Sequence, residues 1–180
     1  SEPIFTETKI EVPHYRANVR ATDGKVLGVV SDRYRIVQNA EAFSFTDTLI
    51  GEGCQYETAG SLHGGKRIFL LARLPEKKIV GDDFENYICF TNSHDGTGAI
   101  KVCMTPVRVV CQNTLNLALQ KATRCWSTKH MGDLSSKMEE ARRTLQMADE
   151  YMSDLAETAD KLANTTVTDA QAAQIISELF

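Results

Sequence analysis

At 180 residues, 42% of them apolar and 24% charged, the chain is long enough for one compact domain and too apolar for a disordered tail. Its net charge of −4 excludes a uniformly basic nucleic-acid coat and leaves room for a local basic patch. No apolar run approaches the roughly 18 residues that a membrane span requires, and the opening SEPIFTETKIEVP lacks the basic and apolar regions of a secretory signal, so a cytoplasmic protein with no membrane partner is expected.

Residues 15–22 (YRANVRAT) alternate apolar and polar with period two, which predicts a half-buried strand. Asp23-Gly24 suits a type I′ hairpin because both positions tolerate positive φ. Residues 25–31 are the return strand and 33–37 (RYRIV) a third. Asn39 is an expected N-cap, followed by a helix over residues 40–50 with Ala42, Phe43, Phe45, Leu49 and Ile50 on one side and Gly51 and Gly53 ending it. Residues 55–62 and 66–73 flank His63-Gly64-Gly65 as a second hairpin, with IFLLA a buried strand. Residues 74–78 read as an exposed turn. Residues 87–91 (YICFT) and 98–105 (GAIKVCMT) are expected to pair across a turn over 92–97. Pro106 has no N–H and fits an edge or a bulge. Asn113 is an expected cap for a helix over 114–121, with Leu115, Leu117 and Leu119 partly buried, and 126–130 is a last strand.

From Asp133 apolar residues recur every three or four positions: Leu134, Met138, Ala141, Leu145, Ala148, Met152, Leu155, Ala159 and Leu162. Opposite a charged face, this predicts one helix of about 30 residues, lying on the sheet or pairing with another chain. Thr168 and Gln171 form a capping-box pattern for a short helix over 169–180. The fold class expected is α+β: a mainly antiparallel sheet of hairpins with inserted helices and a long C-terminal amphipathic helix. The division expected is a core over residues 1–130 and a helical extension over 131–180.

Ser93-His94-Asp95 invites a hydrolase reading, but triad members converge from separate elements; NSHDG reads as a turn whose Asx side chains bond their own backbone. Gly60-x-x-x-Gly64-Gly65-Lys66 lacks the spacing, the Ser/Thr and the following helix of a phosphate loop, and reads as a hairpin. Lys66 and Arg67 at its base remain candidate phosphate contacts, with Lys101, Arg73, Arg108, Arg124 and Lys129 at or near the ends of apolar elements. Arg108, Gln112 and Asn113 form a candidate anion site, since a helix start offers free N–H groups and the positive end of a dipole. The bland alternative is that the arginines pair with local acids. Trp126, Tyr15, Tyr34 and Phe43 read as core rather than as stacking platforms, and Asp82-Asp83 has no companion cluster for acid–base work. The five cysteines (Cys54, Cys89, Cys103, Cys111 and Cys125) include no C-x-x-C and read as reduced thiols. Four scattered histidines offer no metal site, and no cofactor is expected.

YRIVQNAEAFSFTDTLI, AGSLHGGKRIFLLARLPE, and above all TNSHDG followed by TPVRVVCQNTLNLAL, resemble the "phage/plasmid-like protein" group, a domain of unknown function. The resemblance spans roughly residues 15–150, and the His130–Leu134 run H-x-G-D-L with the helix after it is also similar. It implies bacteriophages, prophages and conjugative plasmids in a bacterial host, with a chain running on beyond Phe180; it implies no reaction and no catalytic residues. The function expected is non-enzymatic single-stranded DNA binding or annealing, by a homo-oligomer formed through the 133–163 helix. The other reading is an oligomeric protein-interaction module, a host-defence inhibitor or scaffold that binds no nucleic acid. A hydrolase would need a cleft that gathers His94, Asp95 and a further acid or histidine.

Overall fold

The computed structural model describes residues 1–49, 55–75 and 77–179. Ile50, Gly51, Gly53, Cys54 and Phe180 lie outside them, as do the side chains of Phe43, Phe45, Leu49, Asp82, Asp83, Leu134, Leu145, Ala148, Met152 and Leu155. The described residues form three antiparallel sheets rather than the one sheet expected. The first has the order β1 (Glu2–Phe5), β2 (Glu11–Val19), β3 (Val26–Ser31). The second is built from β4 (Gln55–Leu62), β5 (Arg67–Arg73), β8 (Tyr87–Ser93), β9 (Ile100–Thr105) and β10 (Arg124–Thr128), in the order β10-β9-β8-β5-β4. β6 (Lys77–Ile79) and β7 (Asp82–Phe84) pair as a ribbon in the stretch that begins as the expected exposed turn. Four α-helices complete the described residues: α1 (Asn39–Leu49), α2 (Gln112–Gln120), α3 (Leu134–Ala163) and α4 (Asp169–Leu179).

The correction to a single sheet has its cause in residues 32–38. RYRIV was expected as a strand, but it joins no ladder; its backbone groups bond to the far end of the second sheet instead. Arg35 N–H donates to the His130 carbonyl (2.9 Å), and the Val37 carbonyl accepts from Asn92 Nδ2 (3.2 Å). The segment is a strap, so the first hairpin meets the second sheet by contact and not by pairing. Gly28 marks that contact: a Cβ there would stand 2.5 Å from the Asp95 Cα.

β5 explains the two-sided core. Its run IFLLA buries Ile68 and Leu70 on one face and Phe69 and Leu71 on the other, the continuous apolar pattern of a strand covered on both sides. The first face packs with Val37, Ala42, Phe90, Val102, Trp126 and Ala141, from the strap, α1, β8, β9, β10 and α3. The second packs under Val109 and the α2 residues Leu115 and Ala118. Full burial of a side chain like Leu71 is worth roughly 1.5–3 kcal/mol.

Two caps differ from expectation. Asn39 is already helical, and its side chain is taken by His94. α2 is capped by Cys111 rather than Asn113; the Thr114 hydroxyl accepts from Val110 N and Cys111 N, both at 2.9 Å. The C-terminal region departs too. α3 runs against β10, β9, β6 and α1, and the described part of its expected apolar stripe is unevenly covered, with Met138 and Ala159 half-buried. Among its described side chains only Ala141 is buried, and Leu162 is 69% exposed. Cys103 and Cys125 are joined as a disulfide, which corrects the all-reduced reading. Among the described residues no helix is long and apolar enough to cross a membrane.

Candidate functional site

Ser93, His94 and Asp95 do not face one another as a triad. β8 runs through Asn92 and Ser93, so the turn begins two residues later than expected. The Ser93 hydroxyl donates to Asp95 Oδ1 at 2.6 Å, and the same oxygen accepts from the Thr97 N–H and hydroxyl. Burial pushes the Asp95 carboxyl up, but these hydrogen bonds outweigh it and hold it below its usual range. His94 turns the other way, placing Nε2 2.9 Å from Asn39 Oδ1.

There it joins a second histidine that the sequence does not place nearby. His130, just past β10, stacks on Tyr34 of the strap with ring centroids 4.4 Å apart. Its Nδ1 lies 3.0 Å from the Arg35 carbonyl and donates to it, leaving Nε2 as a buried lone pair with no partner among the described residues. The Tyr34 hydroxyl donates to the Ser93 carbonyl, and Asn18 Nδ2 to the His94 carbonyl at 2.7 Å. Burial lowers the pKa of both imidazoles; Asp95 partly offsets this at His94, and His94 adds to it at His130. Burial also raises the Tyr34 phenol well above its usual value. The cluster is a neutral, aromatic clasp holding strap, loop and β10 together. It has no activated nucleophile, because Ser93 donates to Asp95 and not to an imidazole. Among the described residues no three His, Cys, Asp or Glu side chains gather as a metal site.

The candidate phosphate contacts do not converge as a set of nine. Arg108 is engaged by Glu57 at 2.7 Å, and Arg73 lies 3.8 Å from Glu57 and 3.9 Å from Glu85. Gln112 is held between His63 (3.0 Å) and Asn116 (2.7 Å). The backbone N–H groups of Asn113 and Thr114 at the α2 start are directed at the Cys111 sulfur, whose thiol is held below its usual range by the Thr114 hydroxyl first and then by those amides. Arg124 is exposed where β10 begins, and Lys129 is exposed just beyond its end. The half-buried Lys66 contributes its carbonyl to the His94 N–H.

Arg67 and Lys101 are different. Directly opposed residues share a face of a sheet, as do residues two apart on a strand. Arg67 opposes Ser93, and Thr91, two residues away, opposes Lys101, which opposes Ser127 in turn. Arg67, Ser93, Thr91, Lys101 and Ser127 therefore share one face. α2 covers that face over Leu71 and Cys89, whereas Cys125 and Ser127 on β10 are exposed. Arg67 and Lys101 are half-buried, and neither makes a hydrogen bond or ion pair among the described residues. Strand spacing of about 4.8 Å and a rise of about 3.4 Å per residue put their Cα atoms roughly 12 Å apart. Two long side chains can close that distance onto one anion or spread over two. The shared odd numbering of these positions is the only trace of this in the sequence, and it becomes readable only once the ladder partners are known.

A family model described as "Domain of unknown function (DUF932)" matches residues 26–180. The chain belongs to this DUF932 family. The match opens at Val26, the first residue of β3, so β1 and β2 lie outside it. Both the histidine clasp and the Arg67–Lys101 face fall inside the DUF932 match; Asn18, which ties the first sheet to the clasp, does not. No curated protein and no solved structure matches the chain.

Proposed function

We propose that the protein serves DNA transactions of bacteriophages and related mobile elements by binding single-stranded DNA, with no chemical step of its own. The observation that supports this reading is the Arg67–Lys101 face: two half-buried cations with no carboxylate partner among the described residues, beside exposed Ser127. A partly desolvated cation is costly without a counter-charge, and phosphate oxygens supply one that fits the guanidinium fork. Contacts of this kind position a nucleic-acid backbone without reading its sequence. The aromatic side chains on this face, Phe69 and Tyr87, are buried, so the grip is through phosphate rather than base stacking. Labelled single-stranded and duplex DNA titrated across a salt series tests the reading. Affinity is expected to fall as salt rises, and the Arg67→Ala/Lys101→Ala double variant is expected to flatten the log–log slope by about 1.4, two contacts at about 0.7 each. No binding at low salt, or an unchanged slope in the double variant, refutes it.

One observation favours an oligomeric protein-interaction module as the second reading. Leu162, Val167 and Ile176 are 69%, 51% and 60% exposed across the end of α3 and into α4. Sedimentation of the whole chain and of a Leu162→Glu/Ile176→Glu variant separates the readings. A dimer that dissociates in the variant, with no DNA affinity in either, favours the module.

A further inference from the structure

Cys103 on β9 and Cys125 on β10 are direct cross-strand partners, with Cα atoms 4.1 Å apart, and a disulfide joins them. So close an approach is that of a non-hydrogen-bonded antiparallel pair. β10 is the edge strand of its sheet. The two sulfurs are unequally placed, because Cys103 is fully buried and Cys125 is exposed. Cys89 on β8 opposes Cys103 from the other side, so three cysteines stand in one row across three strands.

We propose that Cys103–Cys125 is a reversible thiol–disulfide site, entered at Cys125 by a low-molecular-weight thiol, that latches the edge strand β10 to the rest of the sheet. In the opening step a thiolate attacks the Cys125 sulfur. A bond forms between the incoming sulfur and Cys125, the Cys103–Cys125 bond breaks, and Cys103 leaves with the electron pair and takes up a proton. A second thiol then attacks the incoming sulfur and releases Cys125 as a thiol. Two electrons and two protons pass to the protein, and the reductant leaves as its own disulfide; an oxidised small disulfide reverses the sequence. Cys89 does not intercept the exchange, because burial pushes its thiol up to about 12 and the thiolate is the reactive form. The opening is readable from within, because Trp126, the single tryptophan of the chain, is buried next to Cys125.

The test equilibrates the native protein in reduced or oxidised glutathione, quenches with acid, alkylates, and maps the label to Cys103 and Cys125 by peptide mass. Both cysteines are expected to be labelled after the reduced buffer and neither after the oxidised one, with Trp126 fluorescence and the hydrogen exchange of residues 124–128 changing between the states. Cys103→Ser is expected to accumulate a glutathione adduct on Cys125, whereas Cys125→Ser accumulates little on the buried Cys103. Labelling of both in the oxidised buffer, of neither in the reduced buffer, or equal adducts on the two variants overturns the proposal. If Cys103→Ser does not fold, the wild-type labelling alone decides.

Discussion

Gly28→Ala tests whether the first sheet is fastened to the site by one close contact. Nothing about the Gly28 backbone requires glycine; the space does. An alanine Cβ would stand 2.5 Å from the Asp95 Cα and 2.8 Å from its carbonyl oxygen. Carbon atoms rest at about 3.5–4.0 Å, so the loop or the strand must yield by roughly 1 Å. The loop has little slack, since Asp95 is tied to Ser93 and Thr97, and the neighbouring His94 carbonyl accepts from the buried Asn18 at 2.7 Å. A shift of that size breaks the Asn18 bond. Overpacking costs about 1–3 kcal/mol, and a buried amide left unsatisfied about 1–3 kcal/mol more, so a loss of about 2–6 kcal/mol is expected. Urea unfolding of Gly28→Ala, Asn18→Ala and the double variant measures it. If the strain acts through the Asn18 bond, the double variant loses less than the two single losses added together. A Gly28→Ala loss within about 0.5 kcal/mol of zero, the range of an ordinary surface change, or strict additivity, refutes the reasoning.

The histidine clasp predicts a pH dependence. An unfolded imidazole takes up a proton near pH 6.5, whereas burial depresses the folded values of His94 and His130. Between the two values the unfolded chain binds more protons, so the urea midpoint is expected to hold above about pH 7 and fall as pH drops below about 6.5; a midpoint flat or rising from pH 7 to 5 contradicts this. Burial also separates two leucines. Leu71→Ala, at a fully buried position, is expected to cost about 2–5 kcal/mol, and Leu162→Ala, on the exposed end of α3, less than about 0.5 kcal/mol. Equal losses in thermal or urea unfolding would place Leu162 in a buried stripe after all.

The strands that carry the site were legible where local pattern and burial coincide. IFLLA and YICFT are continuous apolar runs because both of their faces are covered. RYRIV also reads as a strand and is not one, because its buried Val37 and half-buried Tyr34 are anchored by side-chain hydrogen bonds and packing and not by a ladder. Asn39 and Asn113 have the chemistry of caps; Asn39 is spent on His94, and Cys111 with Thr114 does the capping expected of Asn113. The site was least legible. Arg108 and Arg67 look alike in sequence, and what separates them is Glu57 on a neighbouring strand, within reach of one and not the other. Such distinctions are set by register between distant segments, which composition and periodicity do not encode.

Val26 opens the DUF932 match at an edge strand. β3 is hydrogen-bonded on one side only, and its partner β2 lies outside the DUF932 match. A protein cut back to the match would present β3 with two bare edges, a template for strand addition and aggregation. It would also lose the Asn18 and Arg20 bonds to the His94 and Gly64 carbonyls. The β1–β2 hairpin therefore contributes pairing and hydrogen bonds to a site that lies wholly inside the match. Any strand brought to β3 in place of β2 would restore that pairing whatever its residues, because ladder bonds are made by the backbone.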